Sequence, residues 1–319
     1  MGKLAFLFPG QASQYPGMGR ALHDQSAAVR AVFEQADAAL RFSLSKLCFE
    51  GSEDDLKLTE NTQPAILTVS VAACSALEER GITPDFVAGH SLGEYSALVA
   101  AGGLDFPAAV TIVRQRGRYM QEAVPPGEGA MAAILGLAPA LVADICKRTA
   151  DGQVVSPANL NSPEQTVISG HAAAVKRAVE IASASGAKRA VVLPVSAPFH
   201  CDLMMPAQKR LETDLRAAAF HDLRFPLITN VDAEVVTSGE EAREGLIRQV
   251  CLPVRWEDSI REMIERGANT FVEVGPGRVL SGLLRQIDRS VRCFNVEDPA
   301  SLEATLEKIA QARAETTES

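Results

Sequence analysis

The pentapeptide Gly89-His90-Ser91-Leu92-Gly93 constrains this chain more than any other segment. It follows the short apolar run Phe86-Val87-Ala88 and precedes a helical pattern over residues 94–101. This order of strand, tight turn and helix is typical of a nucleophile elbow, in which glycines let the backbone turn and expose the serine. The helix N-terminus would face Ser91, and the backbone N–H of Leu92 would lie where it can donate to an oxyanion. We therefore predict that Ser91 is a nucleophile.

The elbow motif alone does not establish a catalytic site. A chain with 23 glycines carries a chance G-x-S-x-G in about one case in ten. An ordinary glycine-flanked turn is the alternative interpretation, so other segments have to supply further evidence for chemistry at Ser91.

Composition excludes several other classes of function. The net charge of −9 leaves no basic surplus to neutralise phosphates, which argues against a nucleic-acid binder. No apolar run is long enough to span a membrane, and the run over residues 4–8 is too short for a signal peptide. The six dispersed cysteines form no C-x-x-C pair, a pattern typical of buried thiols in a reducing compartment. We expect a cytoplasmic protein that binds neither nucleic acid nor membrane.

Strand-like and helical segments alternate along most of the chain. A strand over residues 4–8 is followed by helices, of which one covers residues 64–79, then by the elbow and a helix over Phe106–Glu122. This alternation predicts an α/β fold with a mainly parallel sheet. Ser91 would lie at the carboxyl edge of a central strand, where such sheets bind their ligands.

The segment between residues 127 and 195 has a different order. Its pattern predicts strand, helix, two strands, helix and strand, at 131–135, 140–149, 154–159, 166–169, 172–184 and 189–193. That order is ferredoxin-like, and proline-rich stretches flank the segment on both sides. We predict a large α/β domain of residues 1–126 and 196–319 and an inserted small α+β domain of residues 127–195. A last helix is expected over residues 299–312, with a polar tail from residue 315.

Six further segments are unusual enough to compare with known families. They are Phe8-Pro9-Gly10-Gln11-Ala12-Ser13-Gln14, Arg114-Gln115-Arg116-Gly117, Ser196-Ala197-Pro198-Phe199-His200, Asn230-Val231-Asp232-Ala233, Gln249 to Trp256, and Glu273-Val274-Gly275-Pro276-Gly277. In this order, together with the elbow, they closely resemble the malonyl-CoA:acyl carrier protein transacylases of fatty acid and polyketide synthesis. The resemblance covers about residues 4–290. It implies a large hydrolase-like α/β domain with a ferredoxin-like insertion, in agreement with the periodicity.

The resemblance also implies an activity. Such an acyltransferase moves the malonyl group from malonyl-CoA to the phosphopantetheine thiol of acyl carrier protein, through an ester on Ser91 and by ping-pong kinetics, in fatty acid biosynthesis. A serine hydroxyl needs a base at neutral pH, and His200 matches the family's base. The backbone carbonyl of Gln249 would orient His200, since Asp202 is too close in sequence to be the usual partner. No metal and no bound cofactor are implied.

The same resemblance implies which residues bind the substrate and stabilise the oxyanion. The backbone N–H of Gln11 would be the second oxyanion donor beside Leu92. Arg116 would hold the free carboxylate of malonyl through two parallel hydrogen bonds, a group that acetyl-CoA lacks. On a helix Arg114 and Arg118 share a face, and Arg116 points elsewhere.

Four more residues are candidates for substrate contact: His90, Asn159, Asn161 and Phe199. Phe199 would narrow the pocket around the α-carbon of malonyl. The two asparagines match family positions near the cleft, although turn formation at Asn161-Ser162-Pro163 would also explain them. For Gln249 the alternative is a polar residue at a helix end.

Two other functions stay open at this point. One is a discrete acyltransferase that serves a polyketide synthase, and the other is a serine esterase or thioesterase. An ordinary esterase would need neither an anion-binding arginine nor a surface for a carrier protein, and it would have an acidic third member beside Ser91 and His200. We expect a monomer.

Overall fold

The computed structural model describes residues 2–195 and 197–317, whose strands form two sheets. The strands are β1 Lys3–Phe8, β2 Phe86–Gly89, β3 Gly129–Leu135, β4 Val155–Ser162, β5 Gln165–His171, β6 Arg189–Val192, β7 Leu227–Ile228, β8 Val235–Val236, β9 Ala268–Val274 and β10 Arg292–Val296. The helices are α1 Arg20–Gln25, α2 Ala27–Leu40, α3 Leu44–Glu50, α4 Glu53–Lys57, α5 Thr59–Glu79, α6 Gly93–Ala100, α7 Phe106–Glu122, α8 Pro139–Thr149, α9 Ala172–Ala184, α10 Met205–Ala217, α11 Gly239–Gln249, α12 Trp256–Glu265, α13 Val279–Ile287 and α14 Pro299–Thr317.

The larger sheet carries the elbow at its centre. Its strand order is β10-β9-β1-β2-β7-β8, and every neighbouring pair is parallel except β7 with β8. Strand β1 runs beside β2, with Phe8 opposite Gly89 at their carboxyl ends. The mainly parallel α/β fold is therefore confirmed, and Ser91 follows the end of a central strand. We call this sheet and its helices the large lobe.

The side chains of β1 show how the large lobe is layered. Phe6 and Phe8 pack into the apolar layer that α2, α5 and α7 form on one face. Ala5 and Leu7 point to the other face and pack against α12 and α13. All four are fully buried. Because successive strand residues point to opposite faces and both faces are covered, the strand is apolar from Leu4 to Phe8, and only its first residue, Lys3, is exposed.

The smaller sheet is antiparallel, with the strand order β4-β5-β3-β6. Helices α8 and α9 pack on it through a separate apolar cluster. The chain order of these elements is ferredoxin-like, which confirms the predicted type of insertion. The domain boundaries stay a prediction: the strands of this small lobe begin at Gly129 and end at Val192, inside the range 127–195. Residues 1, 196, 318 and 319 lie outside the described residues.

Backbone hydrogen bonds join the two lobes beside the elbow. Asn159 of β4 forms a parallel bridge with Val254, which follows α11 in the large lobe. The N–H of Leu160 donates to the carbonyl of Val254, and the N–H of Val254 donates to the carbonyl of Ala158, each over 2.9 Å. The small sheet is thus extended by a segment that begins near Gln249.

Two helix ends differ from the sequence prediction by more than one residue. Helix α14 runs to Thr317, so the polar tail expected from residue 315 is wrong for residues 315–317; no glycine or proline stops the helix there. Helix α5 begins at Thr59, five residues before the predicted start at Pro64. The carbonyl of Leu58 accepts from the amides of Asn61 and Thr62 and closes this additional turn.

The glycines of the elbow are needed for a different reason than predicted. Positive φ falls on Ser91 itself, at +52°, and not on Gly89 or Gly93. A Cβ at Gly93 would overlap the carbonyl oxygen of Phe8, and a Cβ at Gly89 would overlap the backbone of Gly93. These two positions therefore require glycine because β1, β2 and α6 approach one another at backbone distance.

We expect Gly93→Ala to lower the free energy of unfolding by more than about 2 kcal/mol, because the added methyl meets backbone that cannot move aside. Gly282→Ala is the matched control, since nothing lies within 4 Å of its Cβ position in α13. It should raise stability by about 0.5–1 kcal/mol through helix propensity. Urea unfolding followed by circular dichroism measures both. Equal stability of the two variants would contradict the close approach.

Candidate active site

Ser91 is held in its left-handed conformation from both sides. Its backbone N–H donates to Asn230 Oδ1 over 2.7 Å, and its carbonyl accepts from Gln249 Nε2 over 2.9 Å. Asn230 Nδ2 in turn donates to the carbonyl of Gly89 over 2.6 Å. A non-glycine residue at positive φ costs about 1–3 kcal/mol and persists only where its surroundings hold it. Here the side chains of Asn230 and Gln249, which belong to two distant segments, hold Ser91 in this conformation.

His200 lies where a base for Ser91 has to lie. Its Nε2 is 2.7 Å from Ser91 Oγ, and its Nδ1 is 2.8 Å from the carbonyl oxygen of Gln249. Because a carbonyl can only accept, Nδ1 carries the proton and Nε2 keeps the lone pair that faces the hydroxyl. Burial, together with the nearby charge of Arg116, lowers the pKa of His200 to about 3. The imidazole is therefore neutral at physiological pH.

The guanidinium of Arg116 reaches the Ser91 hydroxyl from the buried side of the elbow. It is 1% exposed, and its guanidinium donates to Gln63 Oε1 over 2.8 Å, to Gln249 Oε1 over 2.9 Å and to Ser91 Oγ over 3.1 Å. The guanidinium carbon lies 5.6 Å from the ring centre of Tyr95. Within residues 2–195 and 197–317 no carboxylate forms an ion pair with it. The hydrogen-bond partners of this buried cation are thus all neutral, the nearby carboxyl group of Glu94 acts on its charge without contacting it, and the guanidinium lies within reach of the Ser91 hydroxyl.

The neighbouring arginines of α7 point away, as the helical spacing predicts. Arg114 stacks on Phe42, with 4.2 Å between the guanidinium carbon and the ring centre. Arg118 pairs with Glu60 over 3.7 Å at the exposed rim. Only the middle arginine of the three is buried beside Ser91.

A cavity of about 1190 Å³ opens above Ser91, between the two lobes. Seven of the residues singled out in the sequence lie in its wall: Gln11, His90, Ser91, Asn159, Asn161, Phe199 and His200. The other three, Leu92, Arg116 and Gln249, are buried behind that wall. The structure therefore brings all ten together around one hydroxyl group.

The second asparagine has a different setting from the predicted turn. Strand β4 continues to Ser162, so Asn161 is a strand residue and the turn explanation is wrong for it. Its Oδ1 lies 2.8 Å from His90 Nε2, and its Nδ2 donates to Gln165 over 3.1 Å. Burial lowers the pKa of His90, so this imidazole is neutral as well. Asn161 thus ties the small lobe to the elbow.

The turn after β1 brings Gln11 to the elbow. Gly10 packs so closely on the carbonyl of His90 that a side chain would not fit there. The hydroxyl of Ser13 donates to the carbonyl of Gly10 over 2.8 Å and closes the turn. No acceptor within the described ranges takes the amide hydrogen of Gln11 or Leu92. Both amides are therefore available to a ligand.

Three polar side chains beneath Ser91 were not assigned a role from the sequence: Gln63, Glu94 and Asn230. Glu94 is fully buried, and its Oε2 accepts from Gln249 Nε2 over 2.7 Å and from the backbone N–H of Asn230 over 3.2 Å. Burial raises the pKa of Glu94 to about 7. Asn230 opens one of the unusual segments, and Glu94 directly follows the second elbow glycine. Gln63 carried no signal in the sequence.

Other kinds of site find no support in the described part of the chain. No group of three or more His, Cys, Asp or Glu side chains there could hold a metal ion. None of its helices is long and apolar enough to cross a membrane. All six cysteines are free thiols, and Cys201 is buried, with its Sγ donating to the carbonyl of Pro198 over 3.2 Å.

Comparison with known proteins agrees with this geometry. The acyl transferase domain family matches residues 5–308. The malonyl CoA-acyl carrier protein transacylase of Bacillus subtilis (strain 168) is 51% identical over 310 residues, which cover 97% of this chain and 98% of that protein. The solved malonyl CoA-acyl carrier protein transacylase of Coxiella burnetii has a TM-score of 0.94 at 45% identity, with 96% and 97% of the two chains covered.

A second solved structure holds a partner as well. It is a type II PKS acyl-carrier protein in complex with its malonyl-transacylase, with a TM-score of 0.94 at 45% identity and coverage of 96% of this chain and 99% of that chain. The matches in sequence and in structure extend over nearly the whole chain. This chain therefore belongs to the acyl transferase family, and within it to the malonyl CoA-acyl carrier protein transacylases.

Proposed function

We propose that this enzyme transfers the malonyl group of malonyl-CoA to the phosphopantetheine thiol of acyl carrier protein, through an ester on Ser91, in fatty acid biosynthesis. The observation that carries the proposal is Arg116, a buried cation that has only neutral partners and lies 3.1 Å from Ser91 Oγ. Such a group favours an acyl chain that ends in a carboxylate. The names of the Bacillus subtilis relative and of the solved carrier-protein complex support the same substrates.

In the first half-reaction His200 Nε2 takes the proton of Ser91, whose Oγ attacks the thioester carbonyl of malonyl-CoA. The oxyanion that forms accepts hydrogen bonds from the amides of Gln11 and Leu92, a contribution of about 10²–10³ in rate for each donor. When the C–S bond breaks, the CoA sulfur takes from His200 the proton that came from Ser91. The products are free CoA and a malonyl ester on Ser91.

The second half-reaction runs in the opposite direction with a different thiol. His200 takes the proton of the phosphopantetheine thiol of acyl carrier protein, and the thiolate attacks the ester carbonyl of malonyl-Ser91. The same two amides stabilise the second oxyanion. Ser91 leaves as an alkoxide and regains its proton from His200. Each half-reaction ends with His200 as the free base, and we propose that the transfer uses no metal and no bound cofactor.

Arg116 discriminates between acyl groups by its charge. We assign to the malonyl carboxylate the N–H that now donates to Ser91 Oγ, which is one of the two parallel hydrogen bonds expected from the sequence, while Gln63 and Gln249 keep their hydrogen bonds. An acetyl group would fill the same space without an anion and would leave the buried guanidinium unpaired. Binding that leaves a buried charge unpaired loses several kcal/mol, roughly, relative to the paired complex.

Two alternatives differ from this proposal in observable ways. A serine esterase or thioesterase would transfer the acyl group to water, and its histidine would be oriented by a carboxylate; here the carbonyl of Gln249 holds His200 instead. A discrete acyltransferase of a polyketide synthase would prefer the carrier protein of that pathway. Comparing the transfer rates to carrier proteins of both kinds separates the second alternative.

The proposal also covers the oligomeric state and the cellular compartment of the enzyme. We infer that it works as a monomer in the cytoplasm. All six cysteines are free thiols, as a reducing compartment allows. The active-site residues named above all come from one chain, so catalysis requires no second copy. Light scattering of the purified protein tests the monomer.

Intact-protein mass spectrometry after brief exposure to malonyl-CoA and acetyl-CoA tests the nucleophile and the selectivity. We expect a malonyl adduct on the wild type that is absent from Ser91→Ala. Arg116→Ala should lower the malonyl adduct about a hundredfold or more, because the carboxylate loses its charged partner, and should retain acetyl transfer. Arg114→Ala is the matched control, since Arg114 lies on the same helix but stacks on Phe42 and not beside Ser91. CoA release without any adduct would favour hydrolysis and count against the proposal.

The low pKa of His200 predicts an unusual pH profile. A histidine with an ordinary pKa near 6.5 would be mostly protonated at pH 5, and acylation of Ser91 would fall about thirtyfold between pH 8 and pH 5. With a pKa of about 3, His200 stays neutral over this range, and the rate should fall less than about twofold. The rate of CoA release in a single turnover, followed from pH 8 to pH 5, measures the acylation of Ser91. An acid limb with its midpoint near 6.5 would show that the site is more solvated than described.

A further inference from the structure

Glu94 is a fully buried carboxyl group that the transfer mechanism leaves unused. It lies in the first turn of α6, directly after the elbow. Its Oε2 accepts two hydrogen bonds, one from Gln249 Nε2 over 2.7 Å and one from the backbone N–H of Asn230 over 3.2 Å. No partner for its Oε1 is found among the described residues. The backbone N–H of Glu94 donates to the carbonyl of Ser91 over 3.1 Å, but its carboxyl group does not contact Ser91 and instead holds two residues that do.

The amide of Gln249 can adopt only one orientation in this setting. Its Nε2 faces three acceptors: Glu94 Oε2 at 2.7 Å, the carbonyl of Ser91 at 2.9 Å and Asn230 Oδ1 at 3.3 Å. Its Oε1 accepts from Arg116 over 2.9 Å. A flipped amide would present its NH₂ group to the guanidinium, where two donors would face each other. Of the three acceptors, Oε2 is the nearest.

The second partner of Glu94 leads to the same serine. Asn230 receives the backbone N–H of Ser91 on its Oδ1, so the position of its main chain decides where that acceptor lies. Through Asn230 and Gln249 one carboxyl oxygen is thus connected to both peptide groups of Ser91 and to the guanidinium of Arg116. The connection passes only through buried groups, in which each hydrogen bond is stronger than in water.

We propose that Glu94 is a positioning residue, which aligns the Arg116 guanidinium with the Ser91 elbow through Gln249 and Asn230 and so sets the preference for malonyl over acetyl groups. This inference rests on the proposed malonyl transfer. It assigns to Glu94 no contact with the substrate and no proton transfer. The structural feature that it requires is the pair of hydrogen bonds accepted by Oε2.

The proposal distinguishes two substitutions of Glu94. Glutamine can place its oxygen at Oε2 and its NH₂ group at the unpartnered Oε1, so Glu94→Gln keeps both acceptor contacts. Methionine has a similar length and accepts neither hydrogen bond well, so Glu94→Met releases Gln249 and Asn230. A comparison of these variants separates the hydrogen bonds from the volume of the side chain.

Glu273 supplies a matched control for the loss of a buried glutamate. It is also fully buried, and it accepts from the backbone N–H of Leu280 and Ser281 and from the Ser281 hydroxyl, at the start of α13. None of its hydrogen bonds reaches Gln249, Asn230 or Arg116. Glu273→Met should therefore lower the melting temperature without changing the preference among acyl groups.

The experiment measures single-turnover acylation of Ser91 by malonyl-CoA and by acetyl-CoA, with the ratio of the two rates as readout. We expect the ratio to fall about tenfold or more in Glu94→Met, as for the loss of one buried hydrogen bond to a charged group. Glu94→Gln should stay within about threefold of the wild type, and so should Glu273→Met. A merely structural role of Glu94 would lower both rates equally and leave the ratio unchanged.

Three results would overturn the inference while the proposed function stands. They are an unchanged ratio in folded Glu94→Met, a loss in Glu94→Gln as large as in Glu94→Met, and an equal loss of ratio in Glu273→Met. If Glu94→Met does not fold, Gln249→Leu interrupts the connection at its other end and must lower the ratio about tenfold; an unchanged ratio there overturns the inference. A wild type that takes no malonyl group refutes the proposed function itself, and the role of Glu94 falls with it.

Discussion

The unpaired positive charge of Arg116 is the constraint on which the rest of the active site depends. Removing a guanidinium from water costs several kcal/mol, roughly, even after the protein relaxes around it. Neutral oxygens of Gln63, Gln249 and Ser91 replace only part of that hydration. The apolar layers on both faces of the central sheet supply the stability that such a group requires. In the proposed reaction, the carboxylate of the substrate meets a partner that is already dehydrated and aligned.

The same charge influences the base. Burial and the charge of Arg116 together lower the pKa of His200 and keep its imidazole neutral, as the proposed proton acceptor has to be. Ser91 and His200 both have positive φ, at +52° and +59°. Each of these strained conformations costs about 1–3 kcal/mol. Backbone strain, a buried cation with neutral hydrogen-bond partners and a dehydrated imidazole thus occur within one small region, where the surrounding fold compensates for all three.

Periodicity and motifs predicted much of this molecule. The strand before the elbow, helix α7 and the elements of the small lobe follow from local patterns that repeat every two or 3.6 residues. Ser91, His200 and Arg116 stood in recognisable segments. Gln63 and Glu94 could not be assigned a role from the sequence. Their importance arises from contacts with residues that lie 53 and 155 positions away in the chain. Local sequence holds no trace of such contacts. The reason for the elbow glycines also arises from the fold, since Gly93 meets the carbonyl of Phe8 only where α6 packs against β1.

The backbone bridge between Asn159 and Val254 has a consequence for how large substrates enter. Val254 lies five residues after Gln249, whose carbonyl and side chain hold His200 and Arg116. A hinge motion that separated the lobes would break the strand pairing and displace the base and the arginine together. The strand pairing therefore opposes a separation of the two lobes. The cleft would admit a bulkier acyl chain if side chains along it, such as Phe199, were replaced, and not through an opening of the fold.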